Sequence, residues 1–282
     1  MAGMSRAEVR SRLQARVDAR QPLVLGGAGV GLIAKAADRA GIDVLMAYNT
    51  GPFRMDGHGS LSGYLAYGDS NGMTIGLAGQ VLPAAPHTPV VGGIGAADPY
   101  RPFDRLIGEY VDLGFSGITN VPTAGIYDGS FRAHIDATNL GYPREVELIA
   151  ECDRRDVFTV AYAFSPGEAA AMARAGADVI GAHVGLTVGG YIGAQDAVSI
   201  DEACDRVAAM TEAARRENPG VWVVAHGGPF DVPEHVQTVY DRVDVDGFLG
   251  ASSIERLPVE RAVEETIAQF RELSLQARTE KA

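Results

Sequence analysis

Eight short apolar runs recur along the chain: Leu23 to Leu25, Val44 to Ala47, Val90 to Ile94, Gly117 to Thr119, Phe158 to Ala161, Val179 to Ala182, Val221 to Ala225 and Gly247 to Leu249. They are near-continuous and rich in β-branched residues, the pattern of strands covered on both faces. The segments between them follow a different period. Phe103, Leu106, Ile107, Tyr110 and Val111 recur at three-four spacing, as do Ala203, Val207, Met210 and Ala214, and again Val259, Val263, Ile267 and Phe270. Each set predicts a helix with one apolar face laid over the sheet. Ser165 and Ser199, each followed three residues later by Glu, predict helix N-caps.

Strand and helix alternate eight times with no Pro- or Ser-rich linker, which predicts an α/β protein built as a single (β/α)8 TIM barrel. The junction Ala40-Gly41-Ile42-Asp43-Val44 recurs as Ala175-Gly176-Ala177-Asp178-Val179, where strands two and six would begin. A doubly wound dinucleotide fold is the rival, on the strength of Gly26-Gly27-Ala28-Gly29-Val30-Gly31 after the first strand. However, Leu32 takes the place of the third fingerprint glycine, and the second strand ends in Tyr48-Asn49 without the acid that would hold a ribose. The expected layout is a helical extension over 1–20, a barrel over 21–275 and a tail over 276–282. The glycine-rich stretch from Asn49 to Asn71 is a long loop after strand two, and Leu61, Tyr64, Leu65 and Tyr67 predict a short helix in it that needs burial.

Composition narrows the partners. With 282 residues, 46% hydrophobic and 21% charged, the chain can bury one large core. The formal charge of −12 disfavours nucleic acid and anionic lipid, so the expected partners are a small anionic substrate and further copies of the chain as a homo-oligomer. Cys152 and Cys204 lack both metal-ligand spacing and a disulfide framework, and the arginine-dotted first twenty residues hold no apolar core. These features predict a cytoplasmic protein without membrane insertion.

In a parallel barrel the loops after the strands meet on one face. That rule selects Gly26 to Gly31, Tyr48 to Arg54, Gly92 to Asp98, Asn120 to Thr123, Phe164, His183 to Thr187, His226 to Pro229 and Gly250 to Ser253. Gly227 and Gly228 after strand seven, with Gly250, Ala251, Ser252 and Ser253 after strand eight, predict an anion site, since glycine lets backbone N–H groups approach a ligand and serines add hydroxyl donors. Gly27 belongs to the same rim. His183 and His226 end neighbouring strands and are the candidate acid–base pair, with neutral and charged forms both expected near pH 7. Asn120 is the candidate for orienting a carbonyl or enolate oxygen, and Asn49, Arg54 and Arg132 complete the polar set; the arginines fit either a carboxylate clamp or loop-fixing ion pairs. No H-x-H follows strand one and no acid directly ends strand five or eight, so no metal ligands are assigned, no cofactor is required, and a divalent metal held by the histidines is the alternative.

Several segments resemble the phosphoenolpyruvate hydrolase-like TIM-barrel family: Tyr48-Asn49-Thr50-Gly51 with Arg54-Met55, Asn120-Val121-Pro122-Thr123, Asp128-Gly129-Ser130-Phe131-Arg132, His183-Val184-Gly185-Leu186-Thr187, His226-Gly227-Gly228-Pro229, and the stretch from Gly247 to Pro258. The resemblance runs from about residue 20 to 272. It implies a single, often oligomeric barrel whose members are regarded as phosphoenolpyruvate or phosphonopyruvate hydrolases, with a related domain in a plant antiviral resistance protein. Enzymes of the phosphoenolpyruvate mutase and isocitrate lyase type hold Mg²⁺ with several acidic side chains, and this chain lacks that acidic or Lys-rich catalytic segment at its strand ends. The function expected is hydrolysis or lyase cleavage of a small anionic oxo-acid or enol phosphate by histidine acid–base chemistry. A non-catalytic ligand-binding or scaffold module and a metal-dependent hydrolase are the alternatives.

Overall fold

A computed structural model describes residues 3–275, so the expected 276–282 tail lies outside the described residues. Eight parallel strands close in sequence order: β1 (Leu23–Gly27), β2 (Val44–Ala47), β3 (Val90–Gly93), β4 (Gly117–Thr119), β5 (Phe158–Ala163), β6 (Val179–His183), β7 (Trp222–His226) and β8 (Gly247–Gly250), with β8 pairing back to β1. The (β/α)8 expectation holds, and closure removes the doubly wound rival. The helices are α1 (Arg6–Asp18), α2 (Gly31–Ala40), α3 (Thr50–Met55), α4 (Ser70–Val81), α5 (Phe103–Leu113), α6 (Gly129–Ala137), α7 (Tyr142–Arg154), α8 (Pro166–Arg174), α9 (Ile200–Glu217), α10 (Pro233–Arg242) and α11 (Ser252–Arg271). Among the described residues no helix is long and apolar enough to cross a membrane.

The two-residue period of the strands sorts side chains into two layers. Val44, Met46 and Tyr48, then Phe158, Val160 and Tyr162, then Trp222 and Val224 belong to one buried cluster, the filling of the barrel. The alternate residues Ala161, Ala163, Val223 and Ala225 belong to another cluster that includes α9 residues Ala203, Val207 and Met210, the expected packing of that helix. Ser165 and Ser199 cap α8 and α9 as predicted, each accepting from the backbone N–H three residues on.

The amino-terminal end of the barrel is closed by α1. Val9 and Leu13 enter the interior cluster, and Arg6 and Arg10 both pair with the fully buried carboxylate of Asp178. The repeated Asp-Val junction has a structural purpose: Asp43 accepts from the N–H of Val24 on β1, and Asp178 from that of Thr159 on β5. Each aspartate thus ties its own strand to the preceding one.

Two expectations fail here. The apolar stripe of α11 does not cover the sheet: Val259, Val263, Ile267 and Phe270 are 41, 53, 50 and 70% exposed. Only Ser252, Glu255, Arg256 and Leu257 of that helix are buried, and past Pro258 it runs clear of the barrel. Periodicity reports that a helix has an apolar face and says nothing of what covers it. The helix predicted in the long loop is a short 3₁₀ turn, Ser60–Tyr64, and Leu61, Leu65 and Tyr67 remain largely exposed.

Candidate active site

The carboxyl-terminal mouth encloses a cavity of about 70 Å³. His183 and His226 share its wall, as required of an acid–base pair. They are register partners on β6 and β7, with ring centroids 4.6 Å apart and rings nearly perpendicular. Tyr162 packs against both, at 5.8 and 5.0 Å. The hydrogen bonds of the two imidazoles assign opposite tautomers. Gly185 N–H donates to Nδ1 of His183, so the ring proton is on Nε2. Nδ1 of His226 faces the carbonyl oxygen of Leu249 at 2.7 Å; since a carbonyl only accepts, Nδ1 carries the proton and Nε2 holds the lone pair.

The expectation that neutral and charged forms are both accessible near pH 7 is corrected. Burial pushes the His226 pKa down to about 4, and burial, with repulsion from His226, holds His183 well below its ordinary value. Both imidazoles are neutral at pH 7.

Arg54 forms the opposite wall. It projects from α3 and is almost fully buried, with Nε bonded to Glu255 of α11 and Nη1 donating to Thr50 Oγ1 at 2.7 Å and Ser60 Oγ at 3.2 Å. Its Nη2 is in ion-pair contact with the same Glu255 carboxylate. Burial works against the charge, but Glu255 beside it prevails and the pKa is raised. Glu255 also accepts from Gly29 N–H at 2.7 Å, linking the loops after β1, β2 and β8. A Cβ at Gly29 would lie 2.2 Å from the carbonyl carbon of Gly51, so these loops meet in a way that only glycine permits. A Cβ at Gly27 would stand 3.3 Å from both Arg54 Nη2 and the Glu255 carboxylate, so this residue makes room for the ion pair.

Of the two glycine turns, only the second lines the cavity, through Ala251 and Ser252. The α11 N-terminus has no side-chain cap; Ile254 and Glu255 N–H both donate to Ala251 O, which leaves the N–H groups of Ser252 and Ser253 open to an anion. Ser253 Oγ is buried without a partner, and a Cβ at Gly250 would collide with it at 2.6 Å. Gly227 and Gly228 lie outside the lining and pack the β7 loop against the β6 loop. Gly228 N–H donates to Gly185 O, and at Gly227, where φ is +79°, a Cβ would strike that same oxygen at 2.2 Å.

Three other candidates are spent elsewhere. Asn120 cannot orient a substrate oxygen: its Nδ2 donates to Glu145 and to Tyr162 O, and its Oδ1 accepts from Tyr162 N–H. Asn49 donates to Gly63 O and Ser70 Oγ, holding the long loop, with its Oδ1 buried and unpartnered. Arg132 sits on α6, paired with Asp136 and Glu168 and away from the mouth.

The mouth also contains residues outside the strand-end ranges selected from the sequence, namely the phenol of Tyr162, which joins Tyr48, and Ile192, Gly193 and Ala194, which form a cover with Leu186 and Thr187. Strand parity would have found Tyr162, since it lies two residues beyond the inward-facing Val160. Beyond Thr187 the cover had no signal but its glycines. It is held by Arg256, whose Nη2 donates to Gly189 O, and by Glu260, which accepts from Tyr191 N–H. The long loop after β2 contributes Thr50, Arg54, Ser60 and Tyr64 to the wall.

A larger cavity of about 820 Å³ lies beyond Tyr64, over the ends of β3 and β4. Its cation, Arg101, is paired with Asp69 and Asp98, and its buried acid, Glu145, has its pKa pushed up to about 7 by burial. The mouth differs from it in holding both imidazoles.

No group of three or more His, Cys, Asp or Glu side chains among the described residues is placed to hold a metal ion. The acids nearest the mouth are committed, Glu255 to Arg54 and Glu145 to Asn120, Thr123 and the N–H of Ala124. This donor set does not fit a hard divalent cation, which takes about six oxygen ligands.

Residues 8–273 match the family model described as phosphoenolpyruvate hydrolase-like. The chain belongs to that family. Among curated proteins it is 43% identical over 272 residues to the ToMV susceptible protein tm-1(GCR26) of Solanum lycopersicum, and 42% identical over 272 residues to the ToMV resistance protein Tm-1(GCR237) of the same plant. Each match covers 96% of this chain and 36% of the relative, so this phosphoenolpyruvate hydrolase-like chain spans about a third of their length. Among solved structures it is similar to phosphoenolpyruvate phosphomutase from Streptomyces platensis subsp. rosaceus, with a TM-score of 0.59 at 17% identity over 95% of this chain and 88% of that one. It is also similar to a phosphonopyruvate hydrolase complex with oxalate and Mg²⁺, with a TM-score of 0.57 at 18% identity over 95% and 87%. These likenesses show a shared barrel.

Proposed function

We propose that this phosphoenolpyruvate hydrolase-like barrel is an enzyme that hydrolyses or cleaves a small anionic oxo-acid or enol phosphate at its mouth. The observation that carries the reading is the pair of buried, neutral imidazoles with complementary tautomers. Nε2 of His226 is the proton acceptor and Nε2–H of His183 the donor, side by side on one wall. The substrate carboxylate or phosphate rests on the open first turn of α11 with Ser252, opposite the buried charge of Arg54. Neighbouring barrels named for phosphonopyruvate hydrolase and oxaloacetate acetylhydrolase supply the substrate class. A cytoplasmic setting belongs to the same reading, with Cys152 and Cys204 held as buried free thiols.

The test is turnover of phosphoenolpyruvate, phosphonopyruvate and oxaloacetate, run with Mg²⁺ and with chelator because the neighbouring hydrolase holds that ion. His183→Gln and His226→Gln should each abolish product formation while circular dichroism stays unchanged; undiminished turnover in both rejects the roles. A second reading, ligand binding without turnover, is favoured by the curated relatives, whose names record a virus response and no reaction. Stabilisation by oxalate with no product from any of the three substrates would select it.

A further inference from the structure

A reacting oxo-acid gathers negative charge on its carbonyl oxygen, and neither Asn120, with its polar atoms spent, nor the distant Arg132 can receive it. Two phenols occupy the place. Tyr48 ends the inward stack Val44-Met46-Tyr48 and Tyr162 the stack Phe158-Val160-Tyr162, three strands apart but both lining the mouth, where their hydroxyls meet. Both are 3% exposed, and their hydroxyls are 3.4 Å from each other. A pair of hydroxyls facing one another uses only one of its two O–H donors; Arg54 beside Tyr48 can only donate to it, and among the described residues no acceptor for the second O–H lies in hydrogen-bond geometry. One buried donor is thus left over, beside the Arg54 guanidinium, which lies 5.6 Å from the Tyr48 ring.

We propose that Tyr48 and Tyr162 are the oxyanion-binding pair of the site, both phenol O–H groups donating to the carbonyl or enolate oxygen of the bound oxo-acid. The inference rests on the proposed function and adds the groups that stabilise the charged oxygen. The scaffold around Tyr162 suits a preorganised donor. Its N–H is held by Asn120 Oδ1, and its carbonyl by Asn120 Nδ2 and by Tyr142 Oη at 2.6 Å. Asn120 is in turn fixed by Glu145, which makes Asn120, Tyr142 and Glu145 positioning residues. Burial raises the pKa of both phenols, with Arg54 pulling Tyr48 the other way, so the hydroxyls stay protonated donors at neutral pH.

Calorimetric titration of the whole chain with oxalate, whose second carboxylate stands in for the enolate oxygen, tests the pair against acetate, which has only the carboxylate. Tyr48→Phe and Tyr162→Phe should each weaken oxalate about tenfold, the loss of one hydrogen bond to a charged acceptor, and leave acetate unchanged. Unchanged oxalate affinity in both variants, or equal loss of oxalate and acetate, overturns the pair while the proposed function stands. Absence of oxalate binding by the wild type overturns both. A wild-type measurement guards against misfolded variants. With ¹³Cζ-labelled tyrosine, oxalate must shift the signals of Tyr48 and Tyr162 among the ten tyrosines, and stationary signals at those two positions reject the assignment.

Discussion

Acidification should cost this protein stability through His226 in a way that one substitution removes. The imidazole is 6% exposed, its Nδ1–H is held by Leu249 O, and burial drives its pKa from an ordinary 6.5 to about 4. Below pH 6.5 the unfolded chain takes up this proton and the folded chain does not. Stability is therefore complete above that value and drains away as pH falls toward 4. The whole interval corresponds to roughly 3 kcal/mol, of which about 2 kcal/mol is lost between pH 7 and pH 5. Urea unfolding of wild type and His226→Gln at both pH values isolates the contribution, because the carboxylates that also respond to acid are common to the two proteins. The stability of wild type relative to the variant should fall by about 2 kcal/mol from pH 7 to pH 5. A difference that stays constant across that range would refute the reasoning, as would an imidazole NMR titration for His226 centred near its ordinary value.

Breaking the buried Arg54–Glu255 pair from one side strands a charge, so Arg54→Ala or Glu255→Ala should lower unfolding free energy by about 3 to 5 kcal/mol, whereas Arg54→Met with Glu255→Leu should cost less than either. Denaturant titration decides, and a milder loss in the single variants than in the double would contradict it. Arg256→Ala should release the cover over the mouth, seen as faster amide exchange at Gly189 to Ala194 with exchange in β6 unchanged; equal rates in both proteins would count against the latch. Glu145, with its pKa raised to about 7 by burial, works opposite to His226. Its contribution is complete below pH 4.5 and lost as pH rises through 7, so Glu145→Gln should flatten that decline in unfolding measurements between pH 5 and pH 8. The bare apolar stripe of α11 is where the expected self-association would act: Val263→Glu with Ile267→Glu should lower the mass measured by light scattering, and an unchanged mass would reject that role.

Local sequence carried much of this structure. Strands read as apolar runs because a parallel barrel buries both of their faces, and the loops that follow them form the mouth because every carboxyl end points the same way. That was enough to bring His183 and His226 together from the sequence alone. What it could not supply was the direction and partner of each polar atom. Asn120 and Tyr162 sit at the ends of adjacent strands; the first is consumed by β5 and Glu145, and the second faces the cavity. Arg54 and Glu255 are 201 positions apart, yet each is the other's main partner. Strand and helix identity follow from neighbours a few residues away, through periodicity and caps. The charge state of an imidazole, the vacancy of a donor and the cover on a helix face depend on burial and on contacts between distant segments, which exist only once the barrel has closed.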